Sequence, residues 1–261
     1  MKKRSSLQIV RSVLFALVLR ELQTRFGERR MGAFWILFES MAHIVLMMFI
    51  FGVIRGRHVP GMDFAVYLGI GLMPFFLMRN IALKLMDAVN ANRALFAYPN
   101  ITPFDTFVAR AVVEFLIMAS VYVIIMAGMA LWFGYDVAIH QPLQWLASLG
   151  SGILFSFGLG LIFCVVVEIM PNAKSIIRLF FMPLYFISAV IFPLWQVPGQ
   201  YLHWLLWNPY LHIIDNLRRS TFSQYPVIDG ISFTYPMEMA LITLFLGLAL
   251  YRLRRRQLVS I

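Results

Sequence analysis

Long apolar runs separated by short polar connections dominate this sequence. Six of them, 32–54, 64–85, 107–133, 143–167, 176–194 and 233–253, approach the length of about 20 residues at which a helix crosses the hydrocarbon core of a bilayer. Only 13% of the 261 residues are charged and 61% are hydrophobic. A soluble domain carries about 25% charged residues, so this chain has too little polar surface for a water-facing exterior. It reads as an integral membrane protein. Backbone groups in lipid must be satisfied internally, and no segment alternates with the period of two that a barrel strand requires. The expected fold is therefore an all-α membrane bundle of six transmembrane helices. No repeat, low-complexity segment or long linker divides it, so residues 1–261 are read as one domain.

The stretch 7–19 stands apart from the six. It is interrupted by Arg11 and closed by Arg20 and Glu21, which suits an interfacial helix within a cytoplasmic amino-terminal region 1–31. "RELQTRFGERR" follows where a signal peptide would need small residues.

Charge sets the orientation. With the amino terminus inside, the cytoplasmic face collects Lys2, Lys3, Arg4, Arg11, Arg20, Arg25, Arg29 and Arg30. It also collects Arg79, Lys84, Arg93 and Arg110, then Lys174 and Arg178, and finally Arg252, Arg254, Arg255 and Arg256. Of the 22 basic residues, Arg55, Arg57, Arg218 and Arg219 remain outside. The bias predicts both termini in the cytoplasm, and it accounts for the net charge of +10 without nucleic acid.

Several chemistries lack their residues. None of Lys2, Lys3, Lys84 and Lys174 follows a glycine, so there is no Walker A loop for ATP phosphates. His43, His58, His140, His203 and His212 show no metal-ligand spacing, and Cys164 is the single cysteine. No cofactor or metal is expected on the chain. Uphill movement would draw its energy from a partner or an ion gradient. Glu39 with His43, and Arg110 with Glu114, lie one helical turn apart. Both carboxylates fall near the cytoplasmic helix ends, where mutual pairing is the plainer reading than a proton relay.

Two regions resist a purely lipid-facing reading. The inner connection "LMDAVNANRALFAYPNITPFDTFVARAVVE" places Pro99 and Pro103 around Asn100–Thr102, with Asp105 following. Residues 90–96 fit either a solvated loop, the commoner form of an inner connection, or a short helix at the membrane face that offers Arg93 and Phe96 to a partner. A second inner turn, "VEIMPNAKSIIR", carries Glu168, Pro171, Asn172 and Lys174. On the outside, Pro193 and Pro198 break the helix, "GQYLHWLLW" is too short to span, and "NPYLHIIDNLRRSTF" opens with Asn208 as a cap and Pro209 at the first helical position. Residues 195–222 are predicted as a helix–break–helix that dips into the outer leaflet and returns. Trp195, Tyr201, Trp204, Trp207 and Tyr210 fit either an interfacial aromatic belt or the lining of an exit along which a sugar chain slides.

In this order the pieces resemble the permease subunit of ABC-2 type exporters, above all those that export capsular polysaccharide in Gram-negative bacteria. The resemblance runs from "LRELQTRFGERRMGAFWILFE", with Arg25, Gly32 and Trp35, through "YPNITPFDTFVARAVVE", with Pro103, Asp105 and Arg110. It continues through "MPNAKSIIRLFFMPLYFISAVIFP" to "LLWNPYLHIIDNLRRSTF", with Asn208, Pro209 and Arg218. Ser40 departs from the family, where proline often follows the glutamate. The resemblance implies a homodimer in the inner membrane, working with two copies of a separate cytoplasmic ATPase that supplies the ATP chemistry. It implies ATPase coupling by Asn92, Arg93, Leu95, Phe96, Tyr98, Pro99, Pro103 and Asp105, with a smaller contact at Glu168, Pro171, Asn172 and Lys174. A lipid-linked polysaccharide would pass between the two permeases. Its path or outer gate would involve Trp35, Tyr185, Trp195, Tyr201, Trp204, Trp207, Asn208, Pro209, Tyr210 and Arg218. Periplasmic and outer-membrane export proteins would be further partners. Other cargoes (O-antigen, teichoic acid, a lipophilic drug) stay open. So does a membrane enzyme acting on lipid-linked sugars at Asp215, Arg218 and Arg219.

Overall fold

A computed structural model describes residues 6–26, 32–54, 61–98 and 100–259. All regular structure among them is helical: α1 (Ser6–Phe26), α2 (Gly32–Met48), α3 (Phe64–Met86), α4 (Ala88–Asn92), α5 (Pro103–Phe133), α6 (Pro142–Ile169), α7 (Ala173–Ile187), α8 (Gly199–Leu205), α9 (Pro209–Thr221) and α10 (Tyr235–Val259). A π-helical turn, Phe49–Ile54, prolongs α2, and a 3₁₀ turn, Arg93–Ala97, follows α4. Pro99, Arg55 and Arg57 lie outside the described residues, as does the side chain of Glu39.

α3, α5, α6 and α10 are each long and apolar enough to cross a membrane. The other two expected spans are built differently. Residues 32–54 are a 17-residue α-helix finished by the π turn. In 176–194 the helix stops at Ile187, because Ser188 and the left-handed Ala189 (φ 54°) turn the chain away before Pro193. The amino-terminal helix also outruns its expected bounds, reaching Phe26, with its last turns packed on α5.

Local chemistry sets the ends. Thr102 and Asp105 form a reciprocal capping box at the start of α5, with Pro103 at the first helical position. Gly134 closes α5 in the left-handed conformation (φ 68°), which spares a Cβ its steric cost. α6 and α10 approach so closely that a Cβ on Gly158 would stand 2.6 Å from the Leu244 backbone nitrogen. Small residues permit such contacts where lipid supplies no hydrophobic drive. α3 is the hub of the bundle. It packs on α5, α6 and α9, and its residues Val66 through Leu72 are all but inaccessible.

Candidate coupling and gating sites

The bundle has two ends with different chemistry. At one end α3 stops, α5 starts, and α6 turns into α7. Three ion pairs join these connections. Arg93 reaches Glu168 (3.2 Å), while Asp87 takes both Lys174 (2.8 Å) and Arg178 (2.6 Å). The two expected coupling segments, distant in sequence, are thus one braced surface. Asp87 and Arg178 are its members that sequence reading missed. No local signal marks them, since each acquires its role from a residue about 90 positions away.

The remaining coupling candidates divide by exposure. Arg93 and Tyr98 face outward, Leu95 is half-buried, and Pro171 and Asn172 lie on the open turn. Asn92 is buried, donating to the Ala88 carbonyl (2.9 Å) and accepting from Arg20 of α1 (2.8 Å). Phe96 corrects the expectation that it is offered to a partner. The 3₁₀ turn rotates its ring into the main core, leaving it 8% exposed. Pro103 is buried as helix initiator, and Asp105 is occupied by the capping box.

The expected Arg110–Glu114 pairing is also corrected. α1 folds against α5 and brings its own charges. Arg25 pairs with Glu114 and with Glu21, and Arg110 pairs with Glu21 (3.4 Å) and donates to the Lys84 carbonyl (2.8 Å). Two cations and two carboxylates close a neutral cluster, the arrangement that lets charges persist away from water.

The opposite end contains the broken segment 188–222. Asn208 caps α9 by accepting from the Tyr210 N–H (3.1 Å), and its amide donates to Ser188 Oγ at the end of α7 (2.8 Å). Pro209 follows at the first helical position. The Tyr210 ring meets Phe75 and Phe155 edge-on, and its hydroxyl pairs with Ser156 (3.0 Å). Phe75 and Ser156 lie near the middles of α3 and α6. At its other end α9 reaches the α5–α6 connection, where Ser220 and Thr221 carbonyls meet the Gln141 N–H and the His140 ring.

Arg218 is the largest fully buried side chain. Its guanidinium lies 3.7 Å from the Tyr67 ring centroid and donates to the carbonyls of Ala189 (2.8 Å), Val190 (2.6 Å) and Tyr67 (3.3 Å). The Ala189 and Val190 carbonyls lie beyond the end of α7 at Ile187, so α9 supplies donors that the helix itself no longer does, while Tyr67 belongs to α3. Gly71 makes the arrangement possible: a Cβ there would stand 2.3 Å from Arg218 Nη2. Nearby, the Tyr225 hydroxyl donates to Asp215 Oδ1 (2.5 Å), and burial pushes the Tyr225 phenol well above its ordinary pKa, so it stays the donor. Gly71, Tyr67, Ser188 and Tyr225 escaped sequence reading, since only the fold gathers them.

The aromatic candidates separate into two groups. Trp35, Tyr201, Trp204 and Trp207 are exposed, the last two at 73% and 81%. Trp195 packs edge-on against Tyr67 and Tyr225, and Tyr185 stacks on Phe76. Trp204, Trp207 and Tyr210 border an open apolar hollow of about 600 Å³ between α6, α7 and the α8–α9 break. The enzyme reading gains nothing from Asp215 and Arg218, which are consumed by internal contacts within the buried α9.

Apolar helices of spanning length, a braced charged end and a buried broken segment at the other define an all-helical, multi-pass membrane protein. Residues 12–222 match the ABC-2 type transporter family, and the chain belongs to that family. It is 38% identical to the polysialic acid transport protein KpsM of Escherichia coli, over 98% of this chain and 99% of that protein. It is 28% identical to the capsule polysaccharide export inner-membrane protein CtrC of Neisseria meningitidis serogroup A, over 94% and 91% of the two chains. With the capsule polysaccharide export inner-membrane protein BexB of Haemophilus influenzae it shares 26% identity, over 95% and 93%.

Proposed function

We propose that the chain is the inner-membrane permease subunit of an ATP-driven exporter of capsular polysaccharide. The observation that carries this is the end-to-end identity with a polysialic acid transport protein, 38% over 98% of the chain, within the ABC-2 type transporter family. The permease performs no hydrolysis. A separate cytoplasmic ATPase, two copies against two permeases, binds the ATP and drives the Arg93–Tyr98 turn together with the 168–174 turn. The three ion pairs supply the mechanical reason: a push on either turn is delivered to the end of α3, to α6 and to α7 at once.

Six spans with both termini cytoplasmic suit the charge distribution, with α2 plus its π turn and α7 plus its broken extension as the shorter two. The 195–222 segment acts as a re-entrant outer gate, a role supported by Tyr210 meeting the mid-helix residues Phe75 and Ser156. Exposed Trp204 and Trp207 would offer ring faces to a passing glycan from each half of a two-fold dimer. A packed single bundle has no interior passage of that width, so the path runs between copies.

Removing the protein from its host and locating the glycan tests the reading. Polymer retained in the cytoplasm supports export. Loss of polymer synthesis overturns it in favour of an enzyme, and unchanged surface glycan points to another cargo. Co-purification of an ATPase that depends on Arg93 and Tyr98 tests the coupling surface.

A further inference from the structure

A cavity of about 470 Å³ opens between α1, α2, α3 and α5, and none of the roles above uses it. Arg79, Asn80 and Lys84 of α3 line it, opposite the Arg25–Glu114 pair. That pair belongs to the neutral four-charge cluster, so the excess charge of the cavity comes from Arg79 and Lys84. Among the described residues neither has a carboxylate within ion-pair distance. Arg79 is half-buried, seven positions before the end of α3 at Met86, which puts it about 10 Å along the helix from that end at 1.5 Å per residue. Apart from the His43 ring, the rest of the wall is apolar, with Ile44, Phe76, Ile117 and Met118.

A half-buried cation without a partner is costly, and a long side chain ordinarily escapes by extending toward water or pairing. Here the half-buried Arg79 and the exposed Lys84, one turn further along α3, share one cavity that also carries an amide and apolar side chains. The site thus asks for a compact anion attached to hydrocarbon. We propose that this cavity binds the phosphate-bearing headgroup of a lipid in the cytoplasmic leaflet, with Arg79 and Lys84 as the contacting cations and Asn80 as a further hydrogen-bond partner. The leaflet follows from the orientation proposed above. The headgroup belongs either to a resident acidic phospholipid or to the anionic lipid-linked end of the cargo, and only the second source rests on the export reading.

The test uses the full chain in phosphatidylcholine vesicles containing a trace of spin-labelled phosphatidylglycerol or spin-labelled phosphatidylcholine. A charge-assisted contact is worth about a tenfold preference. Wild type is therefore expected to immobilise phosphatidylglycerol about tenfold or more over phosphatidylcholine. Arg79→Gln/Lys84→Gln should bring the ratio close to one, and Arg79→Lys/Lys84→Arg should retain most of it at an unchanged thermal midpoint. Arg252→Gln/Arg254→Gln, on the exposed carboxy-terminal end, should leave it intact. Equal binding of the two lipids by wild type, or an equal loss in the tail variant, overturns the site. Competitors then identify the source. Displacement by lipid-linked glycan, but not by the same glycan freed of its lipid, assigns the cavity to the cargo. Displacement by unlabelled phosphatidylglycerol alone assigns it to resident lipid. Equal displacement by inorganic phosphate overturns the lipid assignment. No readout depends on transport, so the export reading survives a negative result here and can itself fail while phosphatidylglycerol still binds.

Discussion

The Asn208 amide donates to the hydroxyl of Ser188, 2.8 Å away, while the same side chain caps α9 through its oxygen. One residue thereby fastens the start of the buried gating helix to the point where α7 breaks. Asn208→Ala removes both bonds and leaves buried groups unsatisfied, a loss of about 1–3 kcal/mol. Asn208→Asp keeps the cap and should cost less. Thermal unfolding of the solubilised protein checks the order, and a double cycle with Ser188→Ala should be non-additive.

Gly71→Ala forces a methyl group against Arg218 and against the Val190 carbonyl that Arg218 serves. Displacing the guanidinium leaves the Ala189 and Val190 carbonyls without their donor and should cost about 3 kcal/mol or more. Gly150→Ala is the control, since nothing lies within 4 Å of its added Cβ. There the change should stabilise by up to about 1 kcal/mol through helix propensity. A folded, export-competent Gly71→Ala variant would contradict the account of Arg218.

Asp87→Asn releases Lys174 and Arg178 together. The groups are partly exposed, so stability should change by less than about 1 kcal/mol. Export should nevertheless fall, because the two inner turns no longer move as one body. The exchange Arg93→Glu with Glu168→Arg should recover more export than either single change. Surface glycan per permease, set against protein abundance, is the measurement.

Phe96→Glu and Tyr98→Glu should part company although they are two residues apart. The first puts a charge in the core and should lower the amount of folded protein. The second alters only an exposed side chain and should leave the permease folded while weakening capture of the ATPase. Pull-down yield normalised to permease separates the two outcomes.

Trp204→Ala/Trp207→Ala should leave the melting temperature nearly unchanged, since both rings are largely exposed. Reduced export at normal abundance would favour the glycan-sliding role. Unchanged export would return both residues to an interfacial belt.

The sequence by itself determined the helical membrane class and the Asn208–Pro209 start of α9. Each of these depends on apolar run length or on residues within one turn, and such signals are written locally. Tertiary structure alone decided what the charges do. Arg218 meets a carbonyl 151 positions away, Arg93 meets a carboxylate 75 positions away, and Arg110 leaves its helical neighbour for Glu21 of α1. It also turned Phe96 inward and ended α7 at Ile187. A buried charge takes whichever partner the packed bundle sets beside it, and helical spacing cannot foresee which distant helix that will be.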